Sequence, residues 1–126
     1  MHTSININEE FLKLKLLKNR TPHSTLEEKA SSFVDLSSYR DGAIYIGYFS
    51  GTSDWERHGS ADEIVYVLEG KTKLFIMKDG KESSFELSSG GLIVVPKDAW
   101  HRFETDGPIK SLTVTPMPTD HSTTHP

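Results

Sequence analysis

Seven short runs rich in β-branched and aromatic residues follow one another in the middle of the chain. They cover residues 44–49, 64–68, 73–78, 83–87, 92–95, 100–105 and 109–115. Turn residues separate the runs at intervals of about 8–12 residues, a spacing typical of an all-β sandwich or barrel. The hydrophobic pattern therefore predicts an all-β fold from about residue 41 onward.

The turns between these runs have their own signatures. Asp79 and Gly80 lie between two predicted strands, and an Asp-Gly pair favours a tight hairpin because both central positions of the turn need positive φ. Gly90 and Gly91 precede the fifth run, and an Asp-Gly-Pro sequence at residues 106–108 separates the last two. We expect a turn at each of these places.

The N-terminal 40 residues have a different pattern. Over residues 9–18, leucines alternate with lysines, which indicates a strand, whereas the Glu, Leu and Lys content favours a helix. We favour the strand. Thr25 and Glu28 have the spacing of a capping box, so a short surface helix is expected over residues 26–31.

The C-terminal residues 117–126 are mostly Pro, Thr, Ser and His. We expect an irregular, exposed tail, because chain ends of this composition are usually poorly ordered. His121 and His125 lie in this tail and are expected to be solvated.

Composition limits the functions that are open to the chain. Its 126 residues fit one domain. There are 14 Lys and Arg against 18 Asp and Glu, a net charge of −4, which argues against nucleic acid or an anionic membrane as a partner. The absence of cysteine excludes disulfides, thiolate zinc sites and cysteine nucleophiles. Any bound metal must therefore be held by nitrogen and oxygen atoms.

No segment is apolar enough to predict a membrane helix. The longest apolar run, residues 64–68, is far shorter than the roughly 20 residues that such a helix needs. Residues 1–10 lack the basic and apolar regions of a signal peptide. We expect a soluble, cytoplasmic protein.

Candidate chemistry begins in the stretch that leads into the second run. Glu56 and His58 are two positions apart, so on a strand both side chains point to one face. Glu63, Val65 and Val67 share a face of the following strand. If that face is the interior, the Glu63 carboxylate lies among apolar side chains and needs a partner or a metal.

A later strand adds a second imidazole. His101 and Phe103 share one of its faces. Folding of the two halves could bring four metal-ligating side chains together, namely Glu56, His58, Glu63 and His101. A lone His is usually a buried, hydrogen-bonded side chain, but two imidazoles and two carboxylates that converge on an apolar wall favour a bound cation.

Two segments resemble the motifs of the cupin superfamily. Residues 56–70 read Glu-x-His-x4-Glu-x6-Gly, where the family has His-x-His, three or four residues, Glu, six residues and Gly. Residues 90–105 read Gly-x5-Pro-x-Asp-x2-His-x3-Thr, where the family has Gly-x5-Pro-x-Gly-x2-His-x3-Asn. The intervening residues 71–89 have a length typical of the family. Glu56, Asp98 and Thr105 depart from the family pattern.

The resemblance implies a fold and a division of the chain. The fold is a single-domain cupin jelly-roll β-barrel, of the small conserved-barrel type, with a short N-terminal extension. Residues 1–40 would form that extension, as a strand or short helix packed on the barrel. Residues 41–116 would form the barrel and residues 117–126 the irregular tail.

The resemblance also implies a metal site and a ligand pocket. Matched position by position, the ligands of one divalent metal inside the barrel are Glu56, His58, Glu63 and His101. The side chains that share their strand faces, Phe103, Val65 and Val67, would line the pocket. Zn, Fe, Mn, Ni and Co all suit a set of imidazoles and carboxylates, so the metal's identity stays open.

The activity implied is that of a small metal-binding cupin. Its ligand would be a small oxygen-bearing organic acid, a sugar or an enol-type molecule, and the isomerase, dioxygenase and decarboxylase classes all occur in the family. A non-catalytic binding or sensing cupin is one alternative. A metal-free sugar-isomerase-like cupin with His58 or His101 as general base is another.

We also expect a homodimer and no nucleic-acid partner. The expectation of a dimer rests on the resemblance and on the exposed strand edges of a small barrel, which need covering. Residues 12–17 are a candidate for that cover. Tyr66 alternates away from Glu63 and is expected outside the barrel or at the dimer surface.

Overall fold

Two short helices and ten strands make up the secondary structure of residues 3–126, the part of the chain that this computed structural model describes. In chain order they are α1 (Ile7–Leu12), β1 (Leu17–Arg20), α2 (Leu26–Lys29), β2 (Phe33–Tyr39), β3 (Gly42–Thr52), β4 (Trp55–His58), β5 (Glu63–Glu69), β6 (Lys71–Lys78), β7 (Lys81–Ser88), β8 (Leu92–Val95), β9 (Trp100–Pro116) and β10 (Thr119–Ser122). Residues 1 and 2, the start of the predicted N-terminal extension, lie outside the described part.

The strands form the predicted jelly-roll barrel, in which β9 is the longest strand. β9 is antiparallel to β3, β4, β5 and β6, and β3 in turn pairs with β1 and β2. The sequence predicted two strands over 100–105 and 109–115, but residues 106–108 lie inside one continuous strand. β9 exchanges partners at this point, pairing with β6 before it and with β5 after it.

The alternation along β5 confirms which face of this strand is internal. Glu63, Val65 and Val67 are buried, whereas Ile64 and Tyr66 face outward. The core contains the following buried side chains: Phe49, Val65, Val67, Leu74, Ile76, Leu87, Val95, Ala99, Phe103 and Ile109. The carboxylate of Glu63 therefore lies on the inner face of an otherwise apolar strand.

The hairpin predicted at Asp79 and Gly80 is confirmed. Both residues have positive φ, 53° and 76°, and Lys78 pairs with Lys81 across the turn. This geometry is the one that makes Asp-Gly favourable in a two-residue hairpin loop.

The strand that we favoured over residues 9–18 is wrong for its first part. α1 begins after Asn6, whose side chain accepts a hydrogen bond from the Glu9 backbone N–H, so a helix cap overrides the short alternation of leucine and lysine. Phe11 is the buried residue of the helix. The strand is confined to β1, which pairs in parallel with β3 of the same chain.

The second predicted helix is confirmed in shorter form. Thr25 and Glu28 form the capping box. The Glu28 backbone N–H donates to the Thr25 side chain, and the Thr25 backbone N–H donates to the Glu28 side chain. α2 ends at Lys29, two residues earlier than expected. Neither of the described helices has the length or the apolar character that crossing a membrane requires.

The prediction of an irregular tail is wrong over residues 119–122, which form β10. This strand is antiparallel to β4, with Thr119 opposite His58 and His121 opposite Glu56. A polar segment can pair here because β4 offers backbone groups at the edge of the sheet, and such pairing does not need apolar side chains. Asp120 adds an ion pair to Arg57 at 3.0 Å.

Candidate metal centre

Three strands bring together three of the four predicted ligands. His58 ends β4, Glu63 begins β5 and His101 is the second residue of β9. All three side chains are buried. One ligand atom from each lies within 4.8 Å of the others. We call this group the triad.

Glu63 lies between the two imidazoles. His101 Nε2 is 2.9 Å from Glu63 Oε1, and His58 Nε2 is 3.4 Å from Glu63 Oε2. The two imidazole centroids are 5.2 Å apart. Both histidines thus present the same nitrogen, Nε2, to one carboxylate.

Outer contacts fix the orientation of these side chains. His101 Nδ1 lies 3.2 Å from the Ala99 carbonyl oxygen, which can accept but not donate, so Nδ1 carries the proton. Thr115 Oγ1 donates to Glu63 Oε2 at 2.6 Å, and Thr119 Oγ1 lies 3.1 Å from His58 Nδ1. Partners of this kind hold metal-ligating side chains in position.

The arrangement leaves one buried nitrogen unsatisfied. His58 Nε2 makes no hydrogen bond within the described chain, although it is shielded from solvent. Buried polar atoms in proteins normally have a partner, and an exception calls for an explanation such as an ion. Two imidazole nitrogens and a carboxylate oxygen are suitable ligands for Zn²⁺ and related divalent metals. The residues present therefore fit a divalent metal.

Electrostatics couple the members of the triad. Burial alone would raise the pKa of Glu63, but the neighbouring His101 and His58 imidazoles outweigh it and lower that pKa to about 2. Burial alone would lower the pKa of His101, but the Glu63 carboxylate outweighs it and raises that pKa. Without a metal, the site is held together by an ion pair between His101 and Glu63.

Glu56, the fourth predicted ligand, lies in a neighbouring group. Its carboxylate is gathered with Asp54 and His121, whose ligand atoms lie within 4.8 Å of one another. His121 Nδ1 is 3.8 Å from Glu56 Oε2 and 2.8 Å from Asp54 Oδ2, so this histidine is not merely solvated. Ligation by Glu56 stays a prediction.

The Glu56 carboxylate nonetheless responds to the triad. Burial raises the pKa of Glu56, and repulsion from Glu63 and Asp54 raises it further. Its side chain is 29% exposed, so it lies at the edge of the triad and not at its centre.

A cavity of about 540 Å³ adjoins the triad. Glu63, Glu56 and the predicted pocket residue Phe103 all line it. Val65 and Val67, the other two predicted pocket residues, are fully buried in the core cluster and are not among the lining residues. The cavity is large enough for a small organic ligand.

Sequence reasoning missed three residues that the structure brings to this region. Thr115 and Thr119 support the triad, and the sequence carries no signal for either. Thr119 in addition belongs to the tail that is expected to be irregular. Arg20 lines the cavity, but it follows a lysine-rich stretch, and runs of charged residues are usually solvated surfaces.

Comparison with known proteins places these observations in a family. The family model described as "Cupin domain" matches residues 50–115, more than half of the chain. The chain is 34% identical over 77 residues to the "Uncharacterized protein YdbB" of Bacillus subtilis (strain 168). That match covers 61% of this chain and 65% of the relative, slightly less than two thirds of its length.

Solved structures share the fold at low sequence identity. A cupin-2 domain protein from Shewanella frigidimarina NCIMB 400 superposes with a TM-score of 0.63, at 22% identity, covering 90% of this chain and 94% of that one. Hydroquinone 1,2-dioxygenase from Sphingomonas sp. TTNP3, with 4-hydroxybenzoate bound, has a TM-score of 0.56 at 18% identity. This match covers 65% of this chain and 63% of that one.

A part of a larger enzyme is similar as well. The oxalate decarboxylase of Lactobacillus farciminis, as a formate complex, gives a TM-score of 0.53 at 21% identity, covering 56% of this chain and 22% of that one. At this identity these structures establish the architecture alone, since one fold hosts many functions. With the matching motifs and the barrel, the family model shows that the chain belongs to the cupin domain family.

Proposed function

We propose that the chain is a small metal-dependent cupin. His58, Glu63 and His101 would hold one divalent metal and present it to a small oxygen-bearing ligand in the adjoining cavity. The observation that carries this proposal is the buried His58 Nε2, which has no hydrogen-bond partner among residues 3–126 although it faces a carboxylate and a second imidazole. A cation between the three groups would satisfy it.

The chain's own residues define what such a site can do. When bound, the metal would supply Lewis-acid polarisation of a ligand oxygen or a site for dioxygen chemistry. Glu63 would neutralise one of its two charges, and the two imidazoles none, which leaves a net positive centre for an oxygen ligand. Phe49 and Phe103 line the cavity and exclude water from its apolar side.

The ligand class is supported by the related barrels. One of them was solved with formate and another with 4-hydroxybenzoate, both small carboxylates. Isomerase, dioxygenase and decarboxylase reactions all suit a metal beside such a ligand. Dioxygen uptake and acid loss, measured with a panel of small organic acids and catechols, would distinguish these classes from binding without turnover.

The metal content of tag-free protein tests the proposal. After equilibration with Zn²⁺, Mn²⁺, Fe²⁺, Ni²⁺ or Co²⁺ and removal of the free ion, elemental analysis should find about one ion per chain for at least one metal. The double variant His58→Ala, His101→Ala should retain almost none, because two of the three ligands are lost.

A matched control keeps this experiment specific. The double variant His23→Ala, His125→Ala removes two exposed imidazoles that lie outside the triad and should bind metal like the wild type. If the wild type retains none of the five metals, the metal proposal is wrong. The metal-free alternative, with a histidine as general base, would then be favoured.

The outer face of β5 and β8 supports the homodimer. Ile64 pairs with Val94 and Tyr66 with Leu92, which places four outward side chains together. Leu92 and Val94 are 57% and 49% exposed, far more than apolar side chains in the core. A second copy of the chain would cover this patch, as exposed apolar patches of monomers commonly mark interfaces.

Light scattering on a sizing column tests this interface. The wild type should elute as a dimer at micromolar concentration, and Leu92→Glu with Val94→Glu should elute as a monomer because two charges would be buried in the contact. Leu12→Glu, at an exposed position in the segment 12–17, is the matched control and should stay dimeric. A wild-type monomer would contradict the proposal, and a monomeric Leu12→Glu variant would assign the interface to α1.

A further inference from the structure

One cation of the barrel, Arg20, has no hydrogen-bonded or ion-paired partner within the described residues. The Arg20 side chain is buried, with the residue only 8% exposed, yet within residues 3–126 its guanidinium makes no hydrogen bond and no ion pair. The Glu56 and Asp54 carboxylates act on this guanidinium only from beyond ion-pair distance, whereas a largely buried charge is normally paired directly. The N–H donors of Arg20 can therefore take an anionic partner from outside the chain.

Two aromatic rings hold the guanidinium in place. Its central carbon lies 4.9 Å from the Phe33 ring centroid and 4.8 Å from that of Phe49. Contacts with the faces of aromatic rings stabilise a cation but leave its N–H donors free. The two rings position Arg20 without using its hydrogen-bonding capacity.

The backbone around Arg20 holds this residue close to β3. Asn19, with a φ of 55°, donates its backbone N–H to Ser50 Oγ at 3.0 Å. Opposite Arg20 in β3 lies Gly51, where a Cβ would come within 2.3 Å of the Arg20 carbonyl oxygen. A glycine at this point lets β1 approach β3 closely enough to direct Arg20 to the cavity.

The cavity connects Arg20 with the triad. Arg20 and Glu63 line the same cavity of about 540 Å³, and its other ionisable lining residues are Lys29, Tyr45, Glu56 and His121. Neither glutamate is within ion-pair distance of Arg20, because Glu63 contacts the two triad histidines and Glu56 interacts with Arg20 only at longer range, as Asp54 does. The donors of Arg20 thus remain available to a molecule in the cavity.

We propose that Arg20 binds a carboxylate of the cavity ligand, so that this protein accepts a small organic anion and not a neutral sugar. A planar guanidinium can hold a carboxylate through two parallel N–H···O bonds. With the carboxylate at Arg20, another oxygen of the ligand would face the triad. The position of that second oxygen rests on the proposed metal site, whereas the recognition of the carboxylate does not.

Matched acids and amides test this inference directly. Calorimetric titration would compare 4-hydroxybenzoate with 4-hydroxybenzamide, and glycolate with glycolamide, on metal-free and on metal-loaded protein. In the wild type at least one acid should bind about tenfold to hundredfold more tightly than its amide, the range that charge-assisted hydrogen bonds produce. This comparison needs no variant.

Variants assign the preference to Arg20. Arg20→Met, which keeps a flexible apolar stem between the two phenylalanines, should bind acid and amide alike, and Arg20→Lys should retain part of the preference. Arg40→Met removes an exposed arginine outside the cavity and should behave as the wild type. Unfolding curves establish that each variant is folded. If Arg20→Met does not fold, Arg20→Lys provides the test in its place.

The outcomes separate this inference from the proposed function. Equal binding of acid and amide by the wild type, a preference that persists without Arg20, or no binding of either acid would overturn the role of Arg20. Arg20→Met should still take up metal as the wild type does. A wild type that binds no metal but prefers acids through Arg20 would leave this inference standing and overturn the metal centre alone.

Discussion

Glu63→Gln is expected to weaken the binding of a divalent metal by more than about 100-fold. Glu63 is the central member of the triad, in contact with both imidazoles, and its carboxylate is the one charged ligand among the three. Even outer-shell partners of metal ligands contribute about 10- to 100-fold to affinity, so the loss of a charged ligand should exceed that range. The substitution preserves side-chain shape and removes the charge.

Glu56→Gln is the matched control, with the same chemical change on the neighbouring strand. Its carboxylate belongs to the group with Asp54 and His121 and acts on the triad chiefly through its charge. We expect a loss of about tenfold or less, because such an interaction is longer in range and better screened. Competition with a chelating dye measures both affinities. Equal losses would instead make Glu56 a ligand on a par with Glu63.

The stability of metal-free protein at acid pH provides a second test of the role of Glu63. Its pKa in the folded chain is about 2, below the ordinary 4.5 of a glutamate, so its stabilising contribution is complete above pH 4.5 and is lost as the pH falls toward 2. The raised pKa of His101 acts in the opposite sense, since its contribution is complete below 6.5 and is lost at higher pH. Urea unfolding measures the free energy of unfolding across these pH ranges. Its dependence on pH should be weaker in Glu63→Gln than in the wild type, both in the acid range and above pH 6.5.

The barrel could be predicted from sequence because its determinants are local. Alternation fixed the inner face of β5, and the Asp-Gly pair fixed the hairpin at residues 79–80. Both signals depend on backbone geometry that neighbouring residues impose on one another. The motif spacing then placed His58, Glu63 and His101 on strands that meet.

The terminal segments could not be predicted in this way, because contacts that the alternating pattern does not indicate determine their structure. β10 is polar and forms because the edge of β4, some 60 residues earlier in the chain, offers it a partner. The helix α1 is favoured by one capping contact from Asn6 and by the burial of Phe11. A single side chain and its tertiary surroundings thus outweigh a short alternating pattern.

Two features of the candidate site depend on strand pairings between segments that are far apart in the sequence. Glu56 stands where the family pattern has a histidine, and the strand that faces it, β10, provides His121 as a closer neighbour than the triad. Arg20 reaches the cavity because β1 crosses to β3, a parallel pairing that no local pattern indicates. The ligands could be assigned from spacing, but their surroundings could not.

Phe49→Ala is expected to lower the free energy of unfolding by about 3–5 kcal/mol, the usual cost of removing a buried phenylalanine ring. Phe49 is 1% exposed and belongs both to the core and to the lining of the cavity. It packs edge-on against Phe103, with centroids 5.7 Å apart, and stacks on Phe33 at 5.5 Å. Its removal would take one packing partner away from each of these rings.

Phe85→Ala is the control, because it deletes the same ring from a strand position that is 42% exposed. We expect a change of less than about 1 kcal/mol there, as for most substitutions away from the core. Chemical denaturation of both variants measures the difference. Since Phe49 also carries the Arg20 guanidinium, its alanine variant should lose part of the preference for acids over amides even under conditions in which it remains folded. A stability close to that of Phe85→Ala would mean that this ring does not support the core, and an unchanged preference for acids would mean that it does not support the cation.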